Sequence, residues 1–160
     1  MRKKQGFTLI ELLVVIAIIG LLSTLAVVSL NSARQKARDA KRVADIKQIQ
    51  TALELYFNDN NSYPNDVGAD VTLGGSASNN CLGNDGFNTA GSTCSAPVYM
   101  GLIPSNPTPG GTAYIYQGVG ETGGYCQTGI CPKYQITFSL EGKTGGLESG
   151  LHTAYQDGMK

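Results

Sequence analysis

The sequence of 160 residues contains no tryptophan and a single histidine, His152. Its four cysteines, Cys81, Cys94, Cys126 and Cys131, form no C-x-x-C pair. Zinc sites need several such thiolate or imidazole ligands at close spacing, so none is expected. No Ser/His/Asp set, no Cys/His set and no paired carboxylates stand out, and the sequence does not point to an enzyme. No proline occurs before Pro64, which leaves the stretch from Phe7 to Phe57 free to run as one helix. Gly118-Val119-Gly120-Glu121-Thr122-Gly123 fits G-x-G-x-x-G, but Gly124-Tyr125-Cys126 follows where a helix would have to start. Without that helix a nucleotide phosphate has no amino-terminal dipole to sit on, and the stretch reads as a hairpin loop. Asn84-Asp85-Gly86-Phe87-Asn88 begins like a calcium loop and lacks the later glutamate.

What is present is concentrated at the amino terminus. Arg2, Lys3 and Lys4 form a basic head, Gly6 and Phe7 a junction, and Glu11 is the one charge between Lys4 and Arg34. From Leu12 to Val28 only Gly20, Ser23 and Thr24 interrupt an apolar run. A helix of about 20 such residues rises roughly 30 Å, the thickness of a bilayer's hydrocarbon core. A cleaved secretory signal has a shorter core, roughly 7–15 residues, and then a small-x-small site, and no clear A-x-A follows here.

Beyond Ala33 the pattern becomes amphipathic. Ala33, Ala37, Ala40 and Ala44 form one stripe, and Val43, Ile46, Ile49, Leu53, Tyr56 and Phe57 a neighbouring one. Spacings of three and four are helical, so one helix of about 50 residues is expected, its first half in lipid and its second half covering a head. Asn58-Asp59-Asn60-Asn61 ends it, because Asn accepts the left-handed conformation and Pro64 prevents resumption. Residues 65–96, rich in Gly, Asn, Ser and Thr, read as an irregular loop. Pro104 to Gly110 reads as a turn, and Thr112–Gln117 as a strand. Lys133–Glu141 alternates, with Tyr134, Ile136, Phe138 and Leu140 on one face. Residues 142–146 read as a turn with a last short strand beyond. The expected class is α+β, a small antiparallel sheet whose apolar face the amphipathic half of the helix covers.

The net charge of zero hides a split. Residues 34–57 hold Arg34, Lys36, Arg38, Lys41, Arg42 and Lys47 against Asp39, Asp45 and Glu54. Residues 58–160 hold eight acids against Lys133, Lys143 and Lys160. A basic stalk and an acidic head could attract between stacked copies, or each could be a solvated surface. The acidic head argues against nucleic acid, whose phosphates need Lys and Arg. Counting Lys and Arg on both flanks of the span favours a cytoplasmic head, whereas four head cysteines suit an oxidising compartment; the cysteines carry more weight. Four cysteines allow three pairings, and closure of local loops favours Cys81–Cys94 and Cys126–Cys131.

The series of basic head, Gly6-Phe7-Thr8-Leu9-Ile10-Glu11 and apolar helix resembles the class III signal of type IV pilins and type II secretion pseudopilins. Ala52 to Pro64, with its Tyr, Asp-Asn turn and Tyr63-Pro64, resembles the end of the first helix in that family, most of all in major pseudopilins. The resemblance implies the pilin fold. It divides the chain into a leader, 1–6, a transmembrane and assembly helix, 7–32, an amphipathic half with its turn, 33–64, and a loop-rich head, 65–160. It implies cleavage after Gly6 by a prepilin peptidase and methylation of the new amino terminus at Phe7. Glu11 is then expected to meet the amino terminus of a neighbouring copy during assembly. The implied partners are further copies of the chain in a helical filament, the peptidase, an inner-membrane assembly platform and the lipid bilayer, with the head outside the cytoplasm. A secretion pseudopilin, a minor pilin and a tethered binding domain are the alternatives. No cofactor is implied except calcium, which major pseudopilins hold in the head and which the sequence does not place here. Val28 stands where many pilins carry a proline, which removes one device for melting the helix, and the short Cys126–Cys131 loop departs from the larger disulfide-bounded region of pilins.

Overall fold

The fold was obtained as a computed structural model, which describes residues 6–65, 69–75, 79–89, 93–126 and 129–160. It divides into two compact units, Met1–Gln35 and Lys36–Lys160. The first helix, α1, runs without a break from Leu9 to Asn60. The helix continues through Val28. The hydroxyls of Ser23 and Thr24 donate to the carbonyls of Ile19 (2.7 Å) and Leu21 (2.8 Å), so the polar side chains of the apolar run are satisfied within the helix. Within the first unit, every large apolar side chain from Phe7 to Leu30 is exposed. By length and composition this half of α1 can cross a membrane.

The second unit is built on a seven-stranded sheet in the order β3-β2-β1-β4-β5-β6-β7. In chain order the strands are β1 (Val71–Leu73), β2 (Asn79–Gly83), β3 (Gly86–Thr89), β4 (Tyr114–Val119), β5 (Lys133–Leu140), β6 (Gly150–Tyr155) and β7 (Gly158–Met159). All neighbours are antiparallel except β1 and β2, which pair in parallel. Strand β5 buries Tyr134, Ile136, Phe138 and Leu140, the face its alternation predicts. They join Tyr114 and Tyr116 of β4, Ala154 of β6, and Ile46, Ile49, Ala52, Leu53 and Tyr56 of α1 in one core. Each full burial of such a side chain contributes about 1.5–3 kcal/mol, so this seam holds the helix to the sheet.

Two expectations need correction. Residues 65–96 are not one irregular loop, because they contain β1, β2 and β3. Main-chain pairing makes these strands, and few apolar side chains advertise them: Leu73 and Leu82 are buried and Phe87 packs at the edge of the core. The alanine stripe does not face the head either. Ala33, Ala37, Ala40 and Ala44 are all exposed, and the covering face is the Ile46 to Tyr56 one. Large side chains gain more from burial than a methyl group, so they decide which face turns inward.

The end of α1 is fixed by Asn61, whose φ of 51° lies in the left-handed region and whose N–H donates to the Phe57 carbonyl at 2.7 Å. Tyr63 is buried beyond it, its ring 4.7 Å from those of Phe57 and Tyr134, and its hydroxyl donates to Glu54 at 2.9 Å. Desolvation first, then the Glu54 carboxylate, pushes the Tyr63 hydroxyl well above the usual phenol range.

Candidate functional site

Gly6 has no neighbouring heavy atom within 4 Å of where a Cβ would sit, and Phe7 is 82% exposed. The Gly6–Phe7 peptide therefore stands open in front of α1. Thr8 is the N-cap. Its hydroxyl accepts from the Glu11 N–H at 3.3 Å, while its own N–H and hydroxyl donate to the Glu11 carboxylate at 2.8 and 2.6 Å. This reciprocal capping box satisfies donors that a helix start would otherwise leave unpaired. Threonine followed three residues later by glutamate is the sequence signal for it. In the uncut chain the Phe7 nitrogen is an amide, and Glu11 is held by Thr8.

Cys81 is joined to Cys94 and Cys126 to Cys131. The second bridge lies beside the helix corner, where the Tyr63 N–H donates to the Cys131 carbonyl at 2.9 Å. Residues 118–124 connect β4 to the returning chain: the Gly120 N–H donates to Gly124 and the Cys126 N–H to Gly118, a hairpin loop. Asn84 and Asp85 form the turn between β2 and β3, and the Asp85 carboxylate accepts from the Ser95 hydroxyl. Among the described residues no three His, Cys, Asp or Glu side chains gather to hold a metal ion.

The most elaborate polar arrangement is one that sequence reasoning missed. Arg42 is fully buried. Its guanidinium donates to Asp39 (2.6 Å), Glu141 (2.7 Å), Asn106 (2.7 Å) and the carbonyls of Pro107 (3.0 Å) and Gly110 (2.7 Å). Gly111, at φ 78°, lies against the guanidinium, and a Cβ there would stand 3.0 Å from its nitrogens. Asp39 also accepts from the backbone N–H groups of Glu141 and Gly142 at 3.0 and 2.8 Å. Arg38 grips Glu141 through two bonds of 2.8 and 2.6 Å. That fork, with Arg42 behind it, holds the Glu141 carboxyl down at about 2. Asp45 accepts from Lys41 (2.8 Å) and from the buried Tyr114 hydroxyl (3.1 Å). The cluster clamps the 106–111 segment and the end of β5 to α1. A usable signal existed: Asp39, Arg42 and Asp45 stand three apart, and Arg42 and Asp45 lie four residues before Ile46 and Ile49, on the face that faces the sheet.

The first 27 residues match the model of the prokaryotic N-terminal methylation motif. The chain is 46% identical over 63 residues to the type II secretion system core protein G of Aeromonas hydrophila, covering 39% of this chain and 44% of that protein. To the Escherichia coli K12 protein of the same name it is 47% identical over 62 residues, 39% of this chain and 43% of that one. To the type IV wide pilus major component PilA4 of Thermus thermophilus it is 43% identical over 74 residues, 46% of this chain and 56% of that one. Over these stretches the chain is similar to pilins and pseudopilins. The match spans about half the length of these relatives, and no solved structure matches the chain. The likeness covers 39–46% of this chain, and the architecture of the head is read from its own core and sheet.

Proposed function

We propose that this chain is a structural, non-catalytic subunit of a type IV pilus-like filament, made as a membrane-anchored precursor with its head outside the cytoplasm. The observation that carries the reading is the methylation motif over residues 1–27, set on a helix whose apolar side chains are exposed throughout that stretch. A prepilin peptidase cuts the open Gly6–Phe7 bond and Phe7 is methylated. The new amine lies four residues before Glu11, and an amine and a carboxylate in lipid are each costly unless paired. Glu11 then exchanges Thr8 for the amine of a neighbouring copy, which sets the register of docking on the assembly platform. A type II secretion pseudopilus is the second reading, favoured by the relatives at 46% and 47% identity.

The test is expression with the assembly machinery, followed by imaging of sheared surface material. Long filaments containing the chain support a pilus. Retention in the envelope, with loss of protein export on deletion, supports the secretion filament. Glu11→Ala is expected to insert in the membrane normally and to fail in assembly, and a bulky residue at Gly6 is expected to block removal of the leader. Normal filaments from Glu11→Ala would end the pairing argument.

A further inference from the structure

We propose that the head docks on a second copy of the chain through oppositely charged surfaces at its two ends, the exposed α1 face around Lys36 and Lys47 meeting the acidic end around Asp59 and Asp157. This rests on the filament reading above and names the partner surface it requires.

The structure separates working charges from spare ones. Of the five cations from Lys36 to Lys47, Arg38, Lys41 and Arg42 are consumed within the head by Glu141, Asp45 and Asp39. Lys36 and Lys47 are exposed, and among the described residues neither forms an ion pair. Eleven residues apart, they fall within about 20° of each other around the helix, some 16 Å apart along it. Ala37, Ala40 and Ala44 lie on the same exposed side, so a second surface can approach the backbone closely. The acids on this stretch, Asp39 and Asp45, are on the buried side.

The other end has the reverse sign. Glu54 and Asp59 are exposed on the last turns of α1, where they accept from the hydroxyls of Tyr63 and Tyr99. Asp157 is exposed in the turn between β6 and β7 and lines one hollow with Tyr134, whose ring lies 4.7 Å from that of Tyr63. Glu121 is exposed in the loop after β4, and Asp70 is held by Tyr125, which bridges to Val119 at the end of β4. Lys133 and Lys160 line the same hollow as Asp157 and are the cations of this end.

Lys36 and Asp59 are about 35 Å apart along one helix, several Debye lengths at physiological salt, so Lys36 cannot reach Asp59 of its own molecule. A second copy displaced along the axis can. Such a contact is head-to-tail and does not close on itself, which is the geometry of an open helical assembly. Its contribution is mainly to register and encounter, because exposed pairs are individually weak and like charges in the wrong register repel.

The test reverses each surface in the full chain expressed with its assembly machinery. Lys36→Glu with Lys47→Glu, and separately Asp59→Lys with Asp157→Lys, are each expected to cut sheared filament by roughly tenfold while the thermal melt of the head is retained. Expressed together, the two variants are expected to recover filament, because each reversed surface then meets its complement on the other copy. Unchanged filament from either variant alone, or no recovery on mixing, overturns the proposal. Loss with the lysine variant only overturns it in favour of an anionic lipid surface. Absence of filament from the unaltered chain overturns the filament reading itself, and this contact with it.

Discussion

From Leu12 to Leu30 helix α1 carries no charge, and its large side chains are exposed. From Arg38 to Asp45 it carries five charged residues, and Asp39, Arg42 and Asp45 are buried. Both stretches invert the usual distribution, for different reasons. The first has no polar partner to seek and gains from a surrounding of lipid or of other helices. The second gains from a ready set of partners, since loop 106–111 and the end of β5 supply carbonyls, amides and a carboxylate that replace the water Arg42 gives up. Burial of charge is tolerated where geometry completes the coordination, and exposure of leucine is tolerated where the solvent is not water.

The sharpest way to break this contrast is to remove a buried charge from the second half. Arg42→Ala leaves the buried Asp39 without its cation and Glu141 with Arg38 alone, and a loss of about 3–5 kcal/mol is expected in denaturant melts of the full chain in detergent. Adding a charge to the first half tests the other side: Ile16→Lys is expected to cost about 2.5–3.5 kcal/mol of membrane insertion, read as the fraction of integrated precursor. A drop in head stability from Ile16→Lys would contradict the separation of the halves.

The bridges of the head come next. Opening Cys81–Cys94, which spans 13 residues, is expected to cost about 3 kcal/mol, and opening Cys126–Cys131, which spans 5, about 2 kcal/mol. Melts of the paired Cys→Ser variants check the order.

Acid gives a finer measure of the clamp. The folded Glu141 carboxyl sits at about 2, below its usual value of 4.5, so its contribution is complete above about 4.5 and is lost as pH falls towards 2. Melting of the unaltered chain is expected to fall through that window, and Glu141→Gln to flatten this part of the profile. An equally steep fall in the variant would assign the acid sensitivity elsewhere. The smallest effect is expected at Lys41, half exposed beside Asp45, where Lys41→Ala is expected to change stability by less than about 1 kcal/mol.

Much of the architecture is legible in the residues. The apolar run, the spacing of Ile46, Ile49, Leu53 and Tyr56, the asparagines before Pro64 and the alternation of β5 each carry a local periodicity or a backbone preference that acts without knowledge of the rest of the chain. Strands β1 to β3 are not legible, because their stability comes from main-chain bonds to neighbours and their side chains are mostly small and polar. Arg42 reads in the sequence as one more solvated cation of a basic stalk, because its spacing hints only at a face, while Asn106 and Glu141, which help to bury it, lie 64 and 99 residues away.

What the sequence determined by itself is a segment with a glycine before the helix, a capped helix start and an apolar helix, because each of these depends on residues within one or two turns of each other. What the tertiary structure alone decided is which charges are spent. Glu141 lies 99 residues from Arg42 and 103 from Arg38, and only the packing of β5 on α1 brings them together. An ion pair in a low-dielectric seam exists by virtue of that contact, whereas a helix in lipid exists by virtue of its own hydrogen bonds.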